Sequence, residues 1–336
     1  MHSNAGRLGR ETLCFANHRS VRADRVRVGH DTLLSVVDFR WENSDDPFLF
    51  FSILCAFTLT PGLLMRTVTV GNLQLTLVLC ALFYHRLLVW DRSTRPITSS
   101  DAAWWGFLTG CIIVTHYFNV TLIVVGVVFL LLRKAYRAIP IYLFLSVVIP
   151  LPWFAFNYFH YGSLTGWKFV YSPMMDIVNP DRTPYSVSTV LDQLVPRFFH
   201  IFWNPQESKR MILLSDLASK YLSGMTCFAV LGIGVWQLKK LVKKESWQSL
   251  DILCVLGVIL NFLLLVYMSL ANSVPCVMGR YLYLSLWPLI FLTYRFFVVL
   301  PALYRRAIGG SLIICAAMLT TNFLAQVMVE QLKPLQ

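Results

Sequence analysis

Gly279-Arg280-Tyr281 is the sharpest chemical signal in this chain. A short polar turn, Ala271 to Met278, separates two apolar runs and delivers Arg280 to the mouth of the second. An ionisable group at the edge of an apolar run is costly, so it snorkels to water or binds something. A guanidinium presents a fork of donors that matches a phosphate or pyrophosphate, and Tyr281 and Tyr283 stand ready to frame it. Both roles, interfacial anchor and phosphate holder, are open to Arg280 at this stage. A second constellation is Thr115-His116-Tyr117-Phe118-Asn119, which interrupts an apolar run. His116 is able to donate to a phosphate or to act as acid or base; the alternative is a helix-hairpin tip that satisfies its own backbone. Asn119-Val120-Thr121 also fits a glycosylation sequon, although it lies close to apolar sequence.

Three further positions complete the candidate set. Asn72 follows Gly71 at the start of an apolar run, where an N-cap is the simplest role. Asn157-Tyr158 closes another run, followed by Tyr161-Gly162-Ser163, and interface anchoring is the competing reading there. Trp167, with Phe169, Tyr171 and Trp203, offers flat apolar faces suited to a sugar or to the headgroup layer. A general base must be a carboxylate or His within hydrogen-bond reach of its acceptor. Asp176 and Asp181, on either side of Asn179-Pro180, are the best such carboxylates in their segment, though no spacing rule separates them from solvated loop charges. No nucleophile triad, phosphate-binding glycine loop, dinucleotide fingerprint or HExxH motif occurs, which argues against an ATPase, a dehydrogenase and a zinc protease. The eight cysteines have no metal-ligand spacing and mostly sit in apolar sequence.

The elements that must position these residues are membrane helices. The chain has 336 residues, 57% of them hydrophobic and only 14% charged, against about a quarter charged in a soluble domain. Lys and Arg exceed Asp and Glu by 12, and the excess gathers in short loops, as expected for loops held on the cytoplasmic side. No basic stripe interleaved with aromatics marks a nucleic-acid surface, so nucleic acid is excluded as a partner. Residues 1–47 read as an Arg-rich cytoplasmic tail, with Arg7, Arg10, Arg19, Arg22, Arg25, Arg27 and Arg40 and no Lys. Apolar runs then follow at 48–65, 68–90, 103–132, 139–156, 221–238, 251–270, 277–300 and 307–328.

The run 103–132 is too long for one crossing of about 20 residues. Read as a two-helix hairpin, it brings the total to about nine spans. It also places the basic loops around Arg86–Arg95, Arg133–Arg137, Lys239–Lys244 and Arg305–Arg306 on one side of the membrane. Pro150 and Pro152 should kink or end the run 139–156. The fold class expected is therefore an all-α, multi-pass integral membrane protein. Residues 48–156 form an N-terminal helix bundle, 157–222 one large non-cytoplasmic loop region and 223–331 a C-terminal helix bundle. The expected location is a bacterial inner or plasma membrane, with membrane lipid as the surrounding partner.

Several segments resemble the polytopic C-type glycosyltransferases, relatives of protein O-mannosyltransferases and lipid A aminoarabinose transferases. Thr60-Pro61-Gly62 with Val70-Gly71-Asn72 resembles their third and fourth helices. Gly106-Phe107-Leu108-Thr109-Gly110 through Thr115-His116 resembles their hairpin, and Trp153–Tyr158 with Tyr161-Gly162 resembles a helix end. Gly279-Arg280-Tyr281-Leu282 with Pro288 resembles the start of a late helix. The resemblance covers roughly residues 50–325. It implies transfer of a sugar from a polyprenyl- or dolichyl-phosphate carrier to a glycan, lipid or protein acceptor at the non-cytoplasmic face. The lipid-linked sugar is then the donor substrate, with no separate cofactor and often no metal. On that pattern Arg280 holds the donor phosphate, with His116 and Asn72 near the same pocket. The family places its catalytic Asp in a first external loop, where this chain has its Arg-rich residues 1–47. Its hairpin Lys is His116 here, its Arg before the Asn-Tyr pair is Phe156, and the Asp often found after Asn72 is Leu73. The resemblance therefore implies a truncated, divergent or inactive relative. The alternative class is a non-enzymatic transporter of lipid-linked substrates or a membrane scaffold.

Overall fold

The computed structural model describes residues 46–59, 72–93, 95–164, 186–188, 190, 213–243, 249–272 and 285–331. The chain divides between Pro47 and Phe48, and the fold described here is that of the second unit. Among the described residues every regular element is a helix. In chain order these are α1 (Pro47–Thr58), α2 (Asn72–Arg92), α3 (Ser99–Thr115), α4 (Thr121–Leu132), α5 (Ile139–Val148), α6 (Leu151–Tyr161), α7 (Leu213–Val242), α8 (Ser249–Asn272), α9 (Leu286–Phe297) and α10 (Ala302–Gln331).

Among the described residues four helical stretches are long and apolar enough to cross a membrane: Tyr136–Tyr161, Asp216–Lys240, Ser249–Leu270 and Ala302–Ala325. Of the about nine spans expected, the described residues show these four. The apolar helices Pro47–Thr58, Tyr117–Leu132 and Leu286–Phe297 are shorter. At 12 residues, α1 and α9 each extend about 18 Å, less than the hydrocarbon thickness of about 30 Å. Helix α2 has the length, but Arg86, Asp91 and Arg92 load its final turns with charge.

Local chemistry sets the boundaries. Thr98 and Asp101 form a capping box at the start of α3: Asp101 N–H donates to Thr98 Oγ1 (3.2 Å) and Thr98 N–H to Asp101 Oδ2 (3.0 Å). The hairpin read from 103–132 is present. Helix α3 stops at Thr115, His116 adopts an extended backbone (φ −158°, ψ 105°), and a 3-10 turn at Tyr117–Val120 leads into α4. The prolines break one apolar run into α5 and α6, with Pro152 in the first turn of α6, where its missing N–H costs nothing. The run goes on to Tyr161, five residues beyond the expected Phe156, and ends on Gly162 at φ +64°, a left-handed cap.

Packing in the N-terminal half centres on Trp105, which is fully buried. Its ring lies 4.9 Å from Phe83, 5.2 Å from Trp90, 5.6 Å from Phe129 and 5.0 Å from Tyr142. Glycines let the backbones close around this cluster. A Cβ at Gly106 would sit 2.6 Å from the Tyr142 carbonyl oxygen, and one at Gly110 would sit 2.6 Å from Ile149 Cβ. Gly106 and Gly110 are four residues apart on α3, so they present one small-residue face to α5. Such faces are how membrane helices gain contact when lipid is as apolar as the side chains.

Contacts between neighbours give the helices alternating directions. Thr76 Oγ1 on α2 donates to Thr115 Oγ1 at the end of α3 (3.0 Å). Arg133 after α4 donates to the carbonyl of Ser93 after α2. The hairpin tip thus lies at one end of the bundle, called the outer end below, and the Arg133 loop at the other, the inner end.

Candidate functional site

The outer end is organised by the residues around His116. The His116 backbone N–H caps α3 by donating to Ile112 O at 3.0 Å. Its own carbonyl accepts from Asn119 N (3.0 Å) and from Asn119 Nδ2 (2.9 Å). Asn119 is 1% exposed, and its Oδ1 lies 3.7 Å from Cys80 Sγ as acceptor. The hairpin tip therefore does satisfy its own backbone, and Asn119 does it. A side chain so enclosed is closed to a glycan, so the sequon carries no modification in this fold.

The His116 ring belongs to an aromatic layer. It stacks on Tyr117 (5.9 Å between centroids, 18° between planes), and Tyr117 stacks on Trp153 of α6 (6.5 Å, 19°). Asn157 follows Trp153 by four residues and so lies on the same face of α6. Asn157 is 6% exposed, and its Nδ2 has no hydrogen-bond partner among the described residues. A buried donor in that state costs about 1–3 kcal/mol. Tyr158, one residue on, is 56% exposed on the opposite side of α6. Of the expected site pair, Asn157 points into the bundle and Tyr158 out of it, where an interfacial aromatic belongs.

Asn72 opens α2 at the same end, and its side chain lies outside the described residues. Arg280, Tyr281 and Trp167, as well as Asp176 and Asp181, also lie outside them. The nearest described neighbour of Arg280 in sequence is Ser285. Ser285 is fully buried and accepts from Asn261 Nδ2 of α8 (2.7 Å), while Thr121 Oγ1 at the start of α4 donates to Asn261 Oδ1 (2.6 Å). Trp287 Nε1 donates to Leu77 O of α2 (3.1 Å). These bonds tie the His116 hairpin, α2 and α8 to the helix that follows Arg280.

Sequence reasoning missed the Thr121–Asn261–Ser285 chain. Its signal was a lone Asn inside Val258–Val266, since polar groups within apolar spans face the bundle interior. It also missed a charged cluster at the inner end. Asp251, in the first turn of α8, is fully buried; Gln237 Nε2 of α7 donates to its Oδ2 (2.5 Å) and Arg295 Nε of α9 lies 3.4 Å from its Oδ1. From sequence these three looked like ordinary loop-flanking polar residues.

Around the His116 hairpin tip the described side chains offer imidazole, amide, hydroxyl and indole groups. Four carboxylates are placed otherwise. Asp91 and Asp101 flank the inner connection between α2 and α3, and Asp251 faces Arg295. Asp216, in the first turn of α7, pairs with Lys220 at 2.5 Å. Among the described residues no three His, Cys, Asp or Glu side chains come together to hold a metal ion. No protein-family model, curated protein or solved structure matches the chain.

Proposed function

We propose that this chain is a multi-pass membrane protein of the C-type glycosyltransferase kind. In this reading about nine helical passes hold a lipid-phosphate-linked sugar at the non-cytoplasmic face, and the sugar passes to a glycan, lipid or protein acceptor. Arg280 holds the donor phosphate, His116 and Asn157 donate to the same headgroup, and the aromatics of the 157–222 segment, Trp167 among them, lie against the sugar. Asn72 and Tyr281 border the pocket. The observation that carries the reading is the buried, unpartnered Asn157 Nδ2, one helical turn from the Trp153–Tyr117–His116 stack. A donor in that position lacks an acceptor that a phosphate or sugar oxygen supplies. The Thr121–Asn261–Ser285 chain adds support, because it anchors the start of the helix five residues after Arg280.

The experiment is equilibrium binding of a polyprenyl phosphate to the purified protein. The expected result is binding that weakens at least about tenfold, or 1.4 kcal/mol, in Arg280→Ala and in Asn157→Leu. Unchanged affinity in both variants rejects the site.

A non-enzymatic carrier or scaffold for the same lipid is the second reading. It is favoured by the placement of four carboxylates: Asp91, Asp101 and Asp251 lie towards the inner end, and Asp216 faces a lysine. Incubation with a labelled lipid-phosphate sugar and a membrane extract separates the two. Label transferred to an acceptor selects the enzyme; binding without transfer selects the carrier.

A further inference from the structure

Two inner connections, α2–α3 and α4–α5, meet at Ser93, and arginines converge there. Arg133, just past α4, donates from Nη2 to Ser93 O. Arg92 precedes Ser93 in the chain, and the Arg95 N–H donates to Ser93 Oγ at 3.1 Å. Asp101 lies 3.8 Å from Arg95 Nη2, and Arg86 acts on the same carboxylate, so one acid serves two arginines. Asp91 stands one turn after the fully buried Leu87, on the face of α2 turned to the bundle interior, whereas Arg92 is exposed. Among the described residues Arg92, Arg133, Lys134 and Arg137 pair with no carboxylate. Helix dipoles do not take up the charge either. The C-termini of α2 and α4 and the N-termini of α3 and α5 share this end and offset one another.

Lys134 is an independent mark on the same connection. Helix α4 closes with Lys134 N–H on Leu131 O (3.0 Å) and Ala135 N–H on Leu130 O (2.9 Å), a Schellman motif whose left-handed position is usually glycine. Lys134 occupies it at φ +55° and is exposed. An L side chain is strained there, and backbone strain of this kind clusters at ligand-binding positions. Exposed aromatics set the level of the corner. Trp104, five residues or about 8 Å along α3 from Ser99, is 51% exposed, and Tyr136, in the 3-10 turn that packs on α3, is 61% exposed. Such rings sit between acyl chains and headgroups. We propose that this corner binds the phosphate headgroup of an anionic membrane phospholipid. Arg133, held at Ser93, presents its remaining donors to the phosphate beside Arg92, and Lys134 and Arg137 add charge from the second connection. A guanidinium fork suits a phosphate, and basic clusters beside membrane helices draw anionic lipid within a Debye length.

The inference rests on the chain crossing a membrane and not on the sugar-lipid reading of the outer end, so insertion is scored separately. The whole chain is reconstituted into phosphatidylcholine vesicles and into vesicles containing about one third phosphatidylglycerol, flotation is scored, and the Tm difference between the two lipids is measured. The expected difference is several degrees in favour of phosphatidylglycerol, lost in about 0.5 M salt. It should fall by at least about half in Arg92→Gln/Lys134→Gln/Arg137→Gln. Those three side chains hold no hydrogen bond or ion pair among the described residues, so the Tm of that variant in pure phosphatidylcholine should match the native value. Lys134→Gly relaxes the left-handed backbone while removing a cation; it should raise Tm in phosphatidylcholine and still shrink the difference between lipids. Lys239→Gln/Lys240→Gln/Lys243→Gln removes cations from the end of α7 and should keep the full difference. Equal Tm in both lipids, a difference that survives the first variant, or one lost equally in the α7 variant overturns the assignment. A chain that floats with neither vesicle type overturns the membrane reading along with it.

Discussion

Adding one methyl group to α3 tests how the N-terminal helices are held. In Gly106→Ala the new Cβ stands 2.6 Å from the Tyr142 carbonyl oxygen, 3.0 Å from Tyr142 Cα and 3.2 Å from Leu145 Cβ. Two of these atoms are backbone and cannot rotate aside, so α3 and α5 must separate. Overpacking of this kind costs about 1–3 kcal/mol. The exchange also removes a helix-interior glycine, which returns about 0.5–1 kcal/mol. The net expectation is a loss of up to about 2.5 kcal/mol, centred on about 1 kcal/mol, and a Tm lower by a few degrees. Gly224→Ala and Gly310→Ala are matched controls, because a Cβ at either meets nothing within 4 Å. Both should hold or slightly raise Tm. The assay is thermal unfolding in detergent micelles followed by tryptophan fluorescence, for which Trp105, packed on Tyr142 at 5.0 Å, is a reporter at the site of the change. A Gly106→Ala protein as stable as the two controls would refute the close α3–α5 approach.

At the inner end, Arg295→Met leaves Asp251 buried without its cation and should cost about 3–5 kcal/mol, whereas Asp251→Leu/Arg295→Met should cost clearly less; unfolding midpoints of the two compare them directly. The Asp101 carboxyl is partly buried, which acts to raise its pKa, but the Thr98 hydroxyl and N–H and the nearby Arg95 outweigh this and hold it below its ordinary 3.8. A lowered folded pKa means its contribution is present above the ordinary carboxylate pKa and is lost as pH falls through the folded value. The stability gap between native protein and Asp101→Asn should therefore be full at pH 6 and close below about pH 4. For the topology, a reporter fused after Arg95 should read cytoplasmic and one fused near Asp181 external; the reverse pattern contradicts the charge argument.

The hairpin at 115–121 was legible because a polar cluster interrupted a run too long for one crossing. The proline break was legible because Pro150 and Pro152 restrict the backbone whatever surrounds them. The number of spans was not. Apolar length alone cannot separate a short helix such as α9 from a full crossing, and the charges at the end of α2 weaken an otherwise long candidate. Gly106-x-x-x-Gly110 was visible as a motif of the resemblance, but its use against α5 depends on which helix lies opposite. Asn157 and Tyr158 were read as one unit, and only the phase of α6 separates an inward amide from an outward phenol. The Gln237–Asp251–Arg295 cluster escaped for a related reason: its members come from three helices, and no spacing along the chain marks them as neighbours.

Photocrosslinking tests the central claim most directly. A polyprenyl phosphate carrying a diazirine beside its phosphate is bound, irradiated and mapped by peptide mass spectrometry. The account predicts adducts on the hairpin tip around His116–Asn119 and on α6 near Asn157, competed away by unlabelled polyprenyl phosphate. Adducts confined to the inner ends of α7 and α10, with none at the hairpin tip, would contradict it.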